Sequence, residues 1–118
     1  MRRVRWDEVK DLVTGRPYVG GLQTSDLLVM TFPLVNLYVS EDRLVLEARF
    51  GLARLRRPWI VDREDVAYIG ARARAPIMGT VQIGLDRFTS LDFWTWRSEE
   101  ILDRLRDLGY PVEAHKRP

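Results

Sequence analysis

The chain has 118 residues, 46% apolar and 31% charged, with no cysteine and a single histidine, His115. That balance belongs to one globular domain with its own core, and it excludes disulfides, thiol chemistry and cysteine-built metal centres. The formal net charge is only +2, although eight arginines stand against four carboxylates between residues 43 and 75.

The start, MRRVRWDEVKD, has basic residues with no apolar run behind them, and no apolar stretch is long enough for a membrane helix. A cytoplasmic protein without a secretory signal is the expectation. Trp6, Val9, Leu12 and Val13 have helical spacing, Asp7 and Glu8 suit a first turn, and Gly15 suits a stop. The segment reads as a short helix packed on the body or as an arm. Arg16-Pro17 and Gly20-Gly21 read as a linker. The expected layout is an N-terminal segment over 1–24, a β-rich domain over 25–112 and a polar tail over 113–118.

Strands are predicted at 27–32, ending at Pro33, and at 34–39, followed by the acidic turn Ser40-Glu41-Asp42. In RLVLEARF, Leu44, Leu46, Ala48 and Phe50 share one face while Arg43, Val45, Glu47 and Arg49 share the other, the alternation of a half-buried antiparallel strand. Further strands are predicted at 52–57, 59–61, 66–74, 80–85 and 88–96. Ser98 then reads as the N-cap of a helix over 99–108. Glu99 and Glu100 lie in its first turn, Glu100 and Arg104 form an i,i+4 pair, and Ile101, Leu102, Leu105 and Leu108 make one stripe.

Three features carry a family resemblance. They are the strand meander, the phrase Ile60-Val61-Asp62-Arg63-Glu64-Asp65-Val66, and a last strand and helix ending in Leu108-Gly109-Tyr110. Over roughly 25–112 the chain resembles bacterial pleckstrin-homology-like (PH-like, GRAM-type) domains. The resemblance implies a mainly β fold, a bent sandwich or partly open barrel of about seven strands plugged at one end by the helix. It also implies a recognition scaffold without catalysis. Phosphoinositide-binding members carry a basic cluster in their first hairpin loop. Here Ser40-Glu41-Asp42, read as that loop, is acidic, so headgroup recognition by that route is not expected.

Chemistry-bearing clusters are few. No enzyme, cofactor or metal site is expected: His115 lies in the tail, no Gly-rich phosphate loop is present, and Asp62, Glu64 and Asp65 share a turn with Arg63. A candidate anion or partner patch is Arg54, Arg56, Arg57, Arg72 and Arg74, if the strands bearing them pair; the competing reading is that these charges protect sheet edges. A candidate apolar partner strip is Trp94 and Trp96, opposite Leu91 and Phe93, unless Trp6 and Val9 cover them. The expected function is self-association or binding of a protein partner, with anionic lipid bound by the arginines and the basic start as the alternative. The weak net charge speaks against nucleic acid.

Overall fold

The computed structural model of the chain describes residues 1–25, 28–52, 56–74 and 78–113. Among them run β1 (Arg2–Arg3), β2 (Tyr18–Thr24), β3 (Val29–Val39), β4 (Arg43–Ala48), β5 (Trp59–Asp62), β6 (Tyr68–Arg74), β7 (Met78–Gly84), β8 (Ser90–Thr95) and α1 (Ser98–Asp107). All the ladders between strands are antiparallel. They make one sheet in the order β1-β5-β4-β3-β2-β8-β7-β6. The fold is thus mainly β with one C-terminal helix. Two meanders, β2 to β5 and β6 to β8, join where β2 pairs with β8 through Leu22↔Phe93 and Thr24↔Leu91.

Alternation builds the core. Leu44, Leu46 and Ala48 of β4 face Leu37 and Val35 of β3, and Leu91 and Phe93 of β8 face Val81 and Ile83 of β7. The other face of β4 is closed too. A 3₁₀ segment at Trp6–Asp11 lays Val9 over Val45 and Ile60, so the expected half-buried strand is buried on both sides there.

Several expected boundaries shift, each for a physical reason. Gly20 and Gly21 are not a linker but the middle of β2. A Cβ on Gly20 would stand 2.2 Å from the Trp94 carbonyl oxygen, and one on Gly21 would stand 2.3 Å from the Trp94 indole. Only glycine fits against that close approach. Pro33 does not end a strand. It sits in a bulge of the continuous β3, where the pairing jumps from Gly20↔Val35 to Leu22↔Met30, and a missing N–H is tolerated. Phe50 leaves the core face, because β4 ends at Ala48 and Phe50 turns outward at φ 59. Leu52, Arg56 and Arg57 lie in no strand, and Phe88 lies in the β7–β8 loop.

Helix α1 buries Ile101, Leu102 and Leu105. At about 1.5–3 kcal/mol each, these outweigh every polar contact the helix makes. Ser98 is inside the helix rather than its cap. Arg97 occupies the cap position without a side-chain cap bond, and Gly79 packs against Ser98. The expected Glu100–Arg104 pair gives way to Arg97–Glu100 and Asp103–Arg106, while Arg104 Nη2 donates to the Val39 carbonyl at 3.0 Å. Gly109, at φ 87, ends the helix, and the Tyr110 N–H reaches back to the Leu105 carbonyl.

Both edges of the sheet are managed. β1 pairs along β5, and Arg2 grips Asp62 with two bonds of 2.8 and 3.1 Å. On β6, the Ile69 N–H and carbonyl bond Pro111 and Glu113 of the C-terminal segment.

Candidate functional site

The arginine patch does not assemble as expected. Arg54 lies outside the described residues. Arg56 and Arg57 precede β5, which pairs with β4 and β1, whereas Arg72 and Arg74 belong to β6, which pairs with β7. No ladder joins the two groups. Arg72 is exposed on the strand that ends the sheet, where a charge discourages stray pairing. The basic start is also engaged. Arg2 pairs with Asp62, Arg3 donates to the Arg57 carbonyl and stacks on Trp59 at 4.3 Å, and Arg5 pairs with Asp7 at 2.9 Å.

The tryptophan strip divides. Leu91 and Phe93 face the core as expected, but Trp94 is 5% exposed, its ring laid over the bare backbone of Gly21. Trp96 is 56% exposed, with its ring 6.0 Å from that of Phe32. Val9 covers Val45 and Ile60 instead of the tryptophans.

The two ends of the sheet differ in character. Ser25 and Leu28, which flank the β2–β3 turn, Arg56 ahead of β5 and Thr89 ahead of β8 border a cleft of about 310 Å³. The first hairpin loop of the seven-strand body is therefore 25–28, not Ser40-Glu41-Asp42. That loop, Ser25-Asp26-Leu27-Leu28, also lacks a basic residue. Phe88, 86% exposed, stands in the β7–β8 loop, where the Asp86 carboxylate accepts from the Phe88 and Thr89 amides at 2.7 Å each. Those two bonds hold the Asp86 carboxyl below its ordinary range. The acidic turn lies at the opposite, helix-closed end. There Arg63 donates to the Glu41 and Gly109 carbonyls, and the Ser40 hydroxyl, with Arg43 nearby, keeps Asp42 acidic.

The surface that sequence reasoning missed is the outer face of β2, β3 and β4. Val19, Asn36 and Glu47 stand in one cross-strand row. At one end of the row, the Thr95 hydroxyl bonds the Val19 carbonyl and the next residue is Trp96 against Phe32. At the other end, Trp6 and Phe50 border a trough of about 350 Å³ whose floor includes Asn36 and Glu47. A second hollow, of about 380 Å³, continues past Trp6 to Asp7, Lys10 and Tyr38. Trp6 is 46% and Phe50 69% exposed. Burial pushes the Glu47 carboxyl above its ordinary range despite a hydrogen bond from Asn36, and burial together with the Glu47 charge pushes Tyr38 up.

The signal that marks Phe50 is the following Gly51, which breaks the alternation. Both residues take positive φ, a setting that is strained for a phenylalanine. Among the described residues, no group of three or more His, Cys, Asp or Glu is placed to hold a metal, and no helix is long and apolar enough to cross a membrane.

Comparison with known proteins finds no matching family model, no matching curated protein and no matching solved structure.

Proposed function

We propose that the chain is a non-catalytic, PH-like interaction module that works in the cytoplasm and binds protein through the outer face of β2, β3 and β4. A second copy of the chain is the first partner to test. Four strands, then three, then a closing helix, with the first of the four strands paired to the last of the three, support the PH-like reading. The observation that carries the binding reading is the exposure of Trp6, Phe50 and Trp96 around the Val19–Asn36–Glu47 row. Large exposed aromatics gathered on one face mark an association surface, and identical faces can bury one another about a two-fold axis. Phe50 strengthens the reading, since strained backbone that presents a side chain to solvent is more often kept for binding than for stability.

Sedimentation velocity over a range of concentrations tests this. The parent chain is expected to associate, and the double variant Phe50→Ser/Trp96→Ser to remain a monomer with an unchanged melting temperature. Equal behaviour of the two proteins would count against the face.

A second reading, peripheral binding to anionic lipid, is favoured by one observation. At the open end, exposed Phe88 stands beside exposed Arg87, with Arg56 bordering the same cleft. Salt-sensitive sedimentation with anionic liposomes that Phe88→Ser abolishes would support it over the protein reading.

A further inference from the structure

The trough beside Trp6 has a chemistry of its own. Around it the polar atoms left without a donor are acceptors: Asn36 Oδ1 and Asp7 Oδ1 are buried and make no hydrogen bond. Between them stands the Glu47 carboxylate, which borders both hollows and has no ion pair among the described residues. Among the described residues, two nearby arginines are engaged elsewhere. Arg5 pairs with Asp7 Oδ2, and Arg49 donates to the Pro33 carbonyl at 3.0 Å and stacks on Phe50 at 4.7 Å. Lys10 borders the second hollow but forms no ion pair with Glu47.

An acceptor floor beneath an exposed indole suits a cation. A carboxylate gains most from a charged donor, and an indole face is the best aromatic partner for an ammonium or guanidinium group. The hollows, at about 350 and 380 Å³, hold such a head group and its aliphatic stem. We propose that the trough is a subsite for one basic side chain, lysine or arginine, of the bound protein, its charge on Glu47 and its stem along Trp6. The proposal rests on the reading that this face binds protein. The upward shift of the Glu47 carboxyl agrees with it, because burial without a counter-charge disfavours the carboxylate and a partner's cation would relieve that cost.

The test uses the full chain and two blocked peptides that differ at one position, lysine in one and norleucine in the other. The indole N–H resonances of the four tryptophans are followed by NMR. The lysine peptide is expected to shift the Trp6 resonance saturably, with the effect weakened by salt. Binding should be at least about tenfold weaker for the norleucine peptide and in Glu47→Gln. Lys10→Ala is expected to leave binding in place. Equal shifts from both peptides would make the trough a plain apolar groove and overturn the proposal. Binding seen only in Lys10→Ala would assign the trough to the chain's own lysine and overturn it as well. If neither peptide moves Trp6 while the parent still associates through Trp96, the subsite falls and the face stands. Lysine-specific shifts in a chain that never associates would uphold the subsite and remove the self-association.

Discussion

The Tyr110 hydroxyl donates to the Ser40 carbonyl at 2.7 Å, across 70 residues of chain. The bond ties the segment after the helix to the β3–β4 turn, with Arg63 spanning the same gap and lying 5.5 Å from the Tyr110 ring. The acidic turn is thus a structural clasp at the closed end of the sheet.

Tyr110→Phe keeps the ring and removes the bond, leaving the Ser40 carbonyl short of a donor. The expected cost is about 1 kcal/mol by denaturant titration, with no change in the concentration dependence of association. Burial pushes the Tyr110 hydroxyl up to about 12. Its phenolate absorbance should therefore rise well after that of a free tyrosine. Because the folded state holds this proton above the ordinary value, stability should fall as pH climbs from about 10 through that range. An unchanged midpoint for Tyr110→Phe would remove the clasp.

Phe50→Asn trades a strained, exposed aromatic for a residue that tolerates the left-handed region. The gain from relieved strain, of about 1 kcal/mol, is partly offset by losing the Arg49 stack. Thermal melts should show equal or higher stability, and sedimentation should show weaker association. A clear drop in melting temperature would mean that Phe50 is structural.

Glu47 gives a pH-dependent test. Its folded-state carboxyl lies above the ordinary range, so the unfolded chain releases this proton first as pH rises and the folded state loses stability from the ordinary value up to the raised one. Glu47→Gln carries no such penalty. The variant should match the parent in acid and melt higher at neutral pH. A difference that does not vary with pH would contradict the burial of this carboxylate.

The N-terminal arm shields the β5 edge. Deleting residues 2–5 removes β1, the Arg2–Asp62 fork and the Arg3–Trp59 stack, and it bares the backbone groups of Trp59 and Ile60. Uncovered edges recruit other chains, so light scattering should report aggregation on mild warming. A truncated chain that stays monodisperse would show that the arm is dispensable.

How much of this was legible before the structure depended on range. The period-2 pattern of Leu44, Leu46 and Ala48 and the stripe of Ile101, Leu102 and Leu105 are local, and both appear as expected. The Gly20-Gly21 pair misleads because its reason is distant: Trp94, on a strand more than seventy residues later, lies across it. With Gly20-Gly21 as a linker, the first hairpin falls at Ser40-Glu41-Asp42, whereas β2 and β3 form it in the folded chain. The same long-range ignorance grouped Arg56 with Arg72, since strand order decides which arginines meet and nothing local encodes it. The exposure of Trp6 and Phe50 has no local signature: Trp6 has the helical spacing of a residue that covers other tryptophans, and the alternation of β4 places Phe50 on the core face.

The most direct test of the binding face uses the four tryptophans as reporters in an NMR dilution series from millimolar to micromolar protein. Trp59 and Trp94 are buried, at 2% and 5% exposure, while Trp6 and Trp96 flank the proposed surface. The account predicts that the indole resonances of Trp6 and Trp96 move with concentration while those of Trp59 and Trp94 stand still. Four stationary resonances, or movement of Trp59 and Trp94 alone, would contradict it.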